Sequence, residues 1–325
     1  MNTFLAGAFF LFGLVFGSFL NVCIYRMPRE LSVVSPRSAC PACGMAIAFF
    51  DNVPVLSWIA LRGKCRNCKA PISPRYAVVE LVTGLFFVLS YLAPQAAWFN
   101  QNYRASLESS FAWRQVTVDP SGISIKLCVL SFLLIGLIFT DAETKLLPDL
   151  LTKPGIVAGL AFSLWAPVEG PARFLLREME NWRALSLLNS IAGAVLGSAF
   201  ILGIALAYEA LRGVEGMGRG DVKLMALIGA FLGVKLTLLV LLLGSLIGSV
   251  FGVLLIVVVW RKRLARRKGK NKGEPARQAR ARAWQSAMLI YRNFEIPFGV
   301  FLGTAALFAA FSGQRLIEWY MALYR

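Results

Sequence analysis

The chain has 325 residues, of which 58% are hydrophobic and 16% charged, and its mean hydropathy is +0.65. So little polar surface cannot cover a water-soluble globule, which excludes a soluble enzyme and puts the chain in a membrane. The formal net charge of +17 is not by itself an argument for nucleic acid, because the cytoplasmic loops of membrane proteins accumulate Lys and Arg.

A hydrocarbon core of ~30 Å needs about 20 mostly apolar residues per helical span. The first such stretch, Phe4 to Tyr25, has the length of a secretory signal peptide. It lacks a basic start and runs into Arg26 without a small-residue cleavage pattern, so it reads as a retained helix. The following loop carries four cysteines as Cys40-Pro-Ala-Cys43 and Cys65-Arg-Asn-Cys68. Each pair can present two thiolates from one tight turn, and together they have the spacing of a tetrahedral Zn²⁺ site. Two disulfides compete for the same residues but require an oxidising compartment. A filled four-sulfur shell leaves no open position, so zinc here is structural. Gly44 and Gly63 stand beside the knuckles, where such turns need backbone freedom. Cys23 and Cys128 lie in apolar stretches with no partner spacing and read as packing.

Tyr76 to Leu92 is the second span. Glu80, one turn into it, is either a substrate or cofactor contact or an interfacial partner of Arg75, and no spacing decides between them. Further spans are Ile123 to Thr140, Leu150 to Pro167, Ala184 to Tyr208, and a last one from Ile296 to about Phe311. Between these, Leu224 to Trp260 holds 37 residues with one charge, Lys235. A straight helix of that length measures roughly 55 Å, so two crossings fit better. Gly229-x-x-x-Gly233 and Gly244-x-x-x-Gly248 within it read as small-residue packing faces.

Alternate loops hold 25 of the 34 basic residues: 8 around Met27 to Arg75, 2 in Asp141 to Lys153, 3 in Glu209 to Lys223 and 12 in Arg261 to Glu295. These loops are therefore expected in the cytoplasm. The expected fold is an all-α polytopic membrane protein of about eight transmembrane helices, both termini outside, with a small zinc-ribbon-like cytoplasmic loop. Its divisions are a first helix at 1–25, the cysteine loop at 26–75, a membrane catalytic core at 76–260, a basic loop at 261–295, and a last helix and tail at 296–325. Arg261 to Arg282, low in complexity and poor in apolar residues, reads as a disordered stretch near anionic membrane lipids and not as a nucleic-acid arm.

The chain has no histidine, which removes Ser-His-Asp triads, Cys-His dyads and histidine-bearing zinc protease motifs. Carboxylates at the ends of membrane helices remain. Asp141 ends the third span and Asp221, in Gly218-Arg219-Gly220-Asp221, begins the sixth at the same face. Two such acids can share a proton, one ionised to take a proton from water and one protonated to polarise a carbonyl. Gly218 and Gly220 let the backbone approach an extended substrate or adopt positive φ, although Asp221 also reads as a plain N-cap. Asp149, after Pro148, reads as the N-cap of the next helix. Asp141 faces the negative end of its own helix macrodipole and has no comparable bland role. An alternative is a zinc-loop scaffold or transporter that uses these acids for ion coupling, but coupling acids usually sit near the bilayer midplane.

Asp141 with Leu147-Pro148-Asp149, Gly218-x-Gly220-Asp221-x-Lys223-Leu224 and the two Cys-x-x-Cys pairs together resemble the signature of bacterial type IV prepilin leader peptidases, the GxGD class of membrane aspartic proteases. Matching stretches are Gly17-Ser18-Phe19-Leu20-Asn21-Val22, Asp51-Asn52-x-Pro54-Val55-Leu56-Ser57-Trp58 and Ile72-Ser73-x-Arg75-Tyr76-x-x-Val79-Glu80. The resemblance implies an inner-membrane endopeptidase acting on the cytoplasmic side, with Asp141 and Asp221 as the catalytic pair. Its substrates would be prepilins or pseudopilins, cut after the glycine that ends a short basic leader. It also implies methylation of the new N-terminus by S-adenosylmethionine, at a site that is not Rossmann-type, since no strand with a Gly-rich turn appears.

Overall fold

The computed structural model describes residues 2–95, 120–171, 181–213, 218–270, 275–292 and 297–323. These form helices α1 (Thr3–Arg26), α2 (Leu56–Ala60), α3 (Arg75–Leu92), α4 (Pro120–Thr144), α5 (Asp149–Ser163), α6 (Trp182–Arg212), α7 (Arg219–Lys270), α8 (Ala276–Arg292), α9 (Phe298–Phe308) and α10 (Gln314–Ala322), the last two joined by a π turn. Among the described residues 6 helical runs are long and apolar enough to cross a membrane: those of α1, α3, α4, α6, α7 and the α9–α10 rod. The 15-residue α5 is shorter than these.

Large apolar side chains cover the outside. Phe4, Phe12 and Val15 on α1 and Leu242 and Leu246 on α7 are more than half exposed. A continuous apolar exterior of this kind is unstable in water and suits lipid. Inside, Leu20, Leu130, Leu134, Leu224, Met225, Phe231 and Leu302 form a dry core drawn from α1, α4, α7 and α9. Each such side chain contributes about 1.5–3 kcal/mol when transferred from water. Between helices already in lipid the gain is close packing, which small residues permit. A methyl on Gly13 of α1 would meet Gly84 Cα at 2.7 Å, and one on Gly229 of α7 would meet the Ala194 amide at 2.6 Å.

The long α7 is two helical legs. Gly233 has φ 74° and ψ 177°, a conformation that only glycine adopts readily. A methyl on Gly197 of α6 would meet both the Met225 carbonyl, at 3.0 Å, and Thr237 Cγ2, at 2.9 Å. In a straight helix those two residues would be ~18 Å apart, so the chain doubles back at Gly233. The returning leg brings Gly244 against Leu302 and Gly248 against Phe301. Two passes within one apolar stretch therefore match the sequence reading, and Gly233 is both the reversal and, with Gly229, a close packing contact, since a methyl on Gly193 of α6 would meet Gly233 Cα at 2.8 Å.

The basic segment differs from expectation. The second leg of α7 continues as helix to Lys270, and α8 packs back along it. Trp260 and Trp284 meet edge to face at 6.4 Å, and Ala279, Ala283 and Ala287 form a buried stripe. Ala, Arg and Gln are good helix formers, and alanines four residues apart lie on one helical face. The described parts of the stretch expected to be disordered, 261–270 and 276–282, are helical for that reason.

Candidate active site and cysteine cluster

Asp141 lies in the last turn of α4 and is only 5% exposed. Its Oδ2 accepts a hydrogen bond from the Val300 amide at 2.9 Å. Val300 is in the first turn of α9, where backbone N–H groups have no partner within their own helix. The positive end of α9 thus offsets the unfavourable position of Asp141 at the negative end of α4.

Asp221 is the third residue of α7, is 8% exposed, and its amide donates to the Gly218 carbonyl at 3.1 Å. It is not the helix N-cap, because the helix begins at Arg219. Both carboxylates converge on Gly299. A methyl there would meet Asp141 Oδ2 at 2.9 Å and Asp221 Oδ1 at 3.3 Å. Only the absence of a side chain at Gly299 leaves the two acids facing one shared space. Sequence reasoning missed Gly299 and Val300; the available signal was Pro297-Phe298-Gly299, a helix start followed by a gap in bulk.

Of the two roles expected of the motif glycines, positive φ is not the one they serve. Neither Gly218 nor Gly220 has positive φ. Gly220 packs on Leu147, whose Cβ would lie 3.1 Å from an added methyl, so it admits the segment that follows α4. Gly218 is exposed with open space around it.

Asp149 does not cap α5, whose N-cap is Pro148. It is half-exposed and paired with Lys153 at 2.7 Å and with Lys223. Lys223 thus points to Asp149 and away from the buried acids, while Lys145 is the cation within electrostatic reach of Asp141.

Glu80 does not pair with Arg75, which instead forms an ion pair with Glu143 at the end of α4. Glu80 is buried, and its Oε2 accepts from the Val55 amide at 2.7 Å. Val55 has φ 60°, a strained conformation for a β-branched residue. Glu80 therefore clamps a tight turn of the cysteine loop onto α3, and Arg75–Glu143 ties the start of α3 to the helix that carries Asp141.

In the loop, one ligand atom from each of Cys40, Cys43, Cys65 and Cys68 lies within 4.8 Å of the others. The two knuckles repeat one design. The Cys40 amide donates to the Met45 carbonyl and the Cys65 amide to the Ala70 carbonyl, both at 2.9 Å. Each turn closes through left-handed backbone, at Gly44 (φ 70°) and Lys69 (φ 59°). Lys69 is thus the structural counterpart of Gly44, whereas Gly63 (φ 65°) accommodates the Trp58 ring. Backbone amides of Cys68 and Asn67 lower the Cys65 thiol to about 7, and the Met45 amide lowers Cys43. Four sulfurs gathered in this way, two of them favoured as thiolates by backbone amides, fit a tetrahedral metal ion such as zinc.

Residues 11–93 match the bacterial peptidase A24 N-terminal domain, and residues 128–253 match the type IV leader peptidase family. A prepilin leader peptidase/N-methyltransferase of Burkholderia pseudomallei is 34% identical over 246 residues, which is 68% of this chain and 67% of the relative. Its counterpart in Aeromonas hydrophila is 34% identical over 69% of this chain and 72% of the relative, and that of Neisseria gonorrhoeae is 32% identical over 68% and 72%. No solved structure matches. The matched regions contain Asp141, Asp221, Glu80 and the four cysteines, while Gly299 lies beyond them. The chain belongs to the type IV leader peptidase family.

Proposed function

We propose that this protein is a bacterial inner-membrane prepilin peptidase that also N-methylates its product, with Asp141 and Asp221 as the catalytic carboxylates. The observation that carries the reading is the convergence of two buried acids on Gly299 within an apolar helical bundle. One acid is ionised and takes a proton from the attacking water, and the other is protonated and polarises the scissile carbonyl. The Val300 amide holds Asp141 Oδ2, fixing one carboxylate face. The substrates are prepilins or pseudopilins, cut after the glycine that ends a basic leader.

The active site faces the cytoplasm on this reading. Three basic features support that orientation: the cysteine loop is tied to α4 near Asp141, Lys145 lies within electrostatic reach of Asp141, and α8 extends the basic arm. Position also separates this reading from ion coupling, since both acids lie within a few residues of a helix end. Cys40, Cys43, Cys65 and Cys68 would hold a structural Zn²⁺, which cross-links the loop. S-adenosylmethionine would supply the methyl group.

Incubating the purified protein with a prepilin and determining the mass of the product's N-terminus tests both activities. A cut after the leader glycine with a gain of one methyl group is the expected product. An uncut substrate from folded protein would overturn the peptidase reading.

A further inference from the structure

At the end of the bundle opposite the carboxylates is a cavity of about 100 Å³. Lys126 of α4 lines it, roughly 22 Å along the helix from Asp141. Lys126 is 8% exposed and has no hydrogen-bond or ion-pair partner among the described residues. A cation buried among apolar side chains is costly, and an ionisable group inside a membrane bundle marks a candidate functional site. Lys235 and Arg315 line the same cavity, with Glu169 as the one carboxylate among the lining residues. Lys235 Nζ donates to Gln314 Oε1 at 3.3 Å across the mouth.

The charge pattern of the chain gives an independent observation. The basic loops at the other face hold 25 of 34 Lys and Arg residues. Cations on this face oppose the orientation that those loops impose, so topology does not explain three of them around one cavity. The walls are apolar, including Leu127, Leu130, Phe231 and Phe311. A bare inorganic anion would use the cations but not these walls. A phosphate ester carrying an acyl chain uses both.

We propose that this cavity binds the phosphate of an anionic phospholipid, with Lys126 and Lys235 on the headgroup and an acyl chain along α4 and the first leg of α7. The site does not depend on the peptidase reading.

The test uses the full chain, delipidated in uncharged detergent, with phosphatidylglycerol, phosphatidylcholine or inorganic phosphate as the added probe. Native mass spectrometry and thermal melting are the readouts. Phosphatidylglycerol is expected to be retained and to raise Tm, phosphatidylcholine to bind ~10-fold more weakly, and inorganic phosphate to do neither. Lys126→Met should weaken phosphatidylglycerol binding ~10-fold while prepilin cleavage stays at the wild-type rate. Undiminished phosphatidylglycerol binding by folded Lys126→Met would overturn the proposal. So would an equal Tm rise with inorganic phosphate, which would make the site one for free anions. Should Lys126→Met fail to fold, Lys235→Gln carries the test, and unchanged phosphatidylglycerol affinity in that variant overturns the proposal equally.

Discussion

The four cysteines gather from within one short loop, Cys40 and Cys68 being 28 residues apart, whereas the carboxylate site takes its parts from α4, α7 and α9, with the Val300 amide 159 residues beyond Asp141. Each region crowds like charges together. The loop manages this with backbone amides aimed at sulfur and a set of thiolates suited to a cation. The bundle manages it with helix polarity, placing the first-turn amides of α9 against Asp141, and with an absence, the missing side chain of Gly299. A site built locally depends on turns, and a site built from distant helices depends on the packing of the whole bundle.

Substitutions should separate the two regions. The largest effect is expected from Asp141→Asn or Asp221→Asn, which keep the shape but cannot exchange the proton. Cleavage should fall by at least about a thousandfold, with metal content and membrane insertion unchanged. Asp149→Asn, at a half-exposed ion pair, should remain within several-fold of wild type. A rate for Asp141→Asn comparable to that of Asp149→Asn would break the assignment of the pair. Gly299→Ala ranks next. Its methyl would lie 2.9 Å from Asp141 Oδ2, forcing the acids or α9 to shift by some fraction of an ångström. A misplacement of about 1 Å costs on the order of 100-fold in rate, so a loss of up to that size is expected. Normal kinetics in a folded Gly299→Ala protein would show that the acids do not work across that space.

How much could be read from the sequence follows the same division. The cysteine cluster was legible because ligand spacing is a local property of the chain. Asp141 and Asp221 stood out because acids at membrane helix ends are costly, and the structure does bring them together. Gly299 was illegible, since what matters there is a missing atom facing groups contributed by two other helices. Arg75 was weighed as a partner for Glu80 five residues away, but the fold gives it Glu143 and gives Glu80 the Val55 amide. Asp149 looked like a cap because it follows Pro148, and the cations of Lys153 and Lys223 claimed it instead. In the basic segment, composition concealed a pattern that periodicity held, the alanine stripe at 279, 283 and 287.

Cys65→Ser should remove or greatly weaken the bound metal, measured as zinc per chain by elemental analysis, and should speed proteolysis within residues 26–75. The bundle core should keep its protection against hydrogen exchange. Because Glu80 and Arg75 still link the loop region to α3 and α4, cleavage should drop by only about tenfold, a weaker version of the misplacement that Gly299→Ala produces directly. Metal retention should also fall with acidification, since protons compete with the metal for the four sulfurs. Full zinc occupancy in Cys65→Ser would show that the four sulfurs are not the ligand set.

The smallest expected effect is at Asp51, and it concerns the loop alone. The Arg66 guanidinium donates to both oxygens of Asp51, at 2.7 and 2.6 Å, and this holds the carboxyl below its ordinary value. With the folded pKa lower than the unfolded one, the pair stabilises the loop at every pH above the ordinary aspartate value near 4 and stops doing so as pH falls through the lower folded value. Arg66 is largely exposed, so solvent and salt weaken the pair, and Asp51→Asn should raise the exchange rate of amides in residues 49–70 by no more than a few-fold. Acid also displaces metal from the cysteines, but it does so in both proteins. The difference between wild type and Asp51→Asn therefore isolates the carboxylate. That difference should be present at pH 7, shrink in high salt and vanish below the folded pKa. A difference that persists undiminished in strong acid would mean that Asp51 acts through shape and not through charge, and the loop would then owe its rigidity to the knuckles and the Glu80 clamp alone.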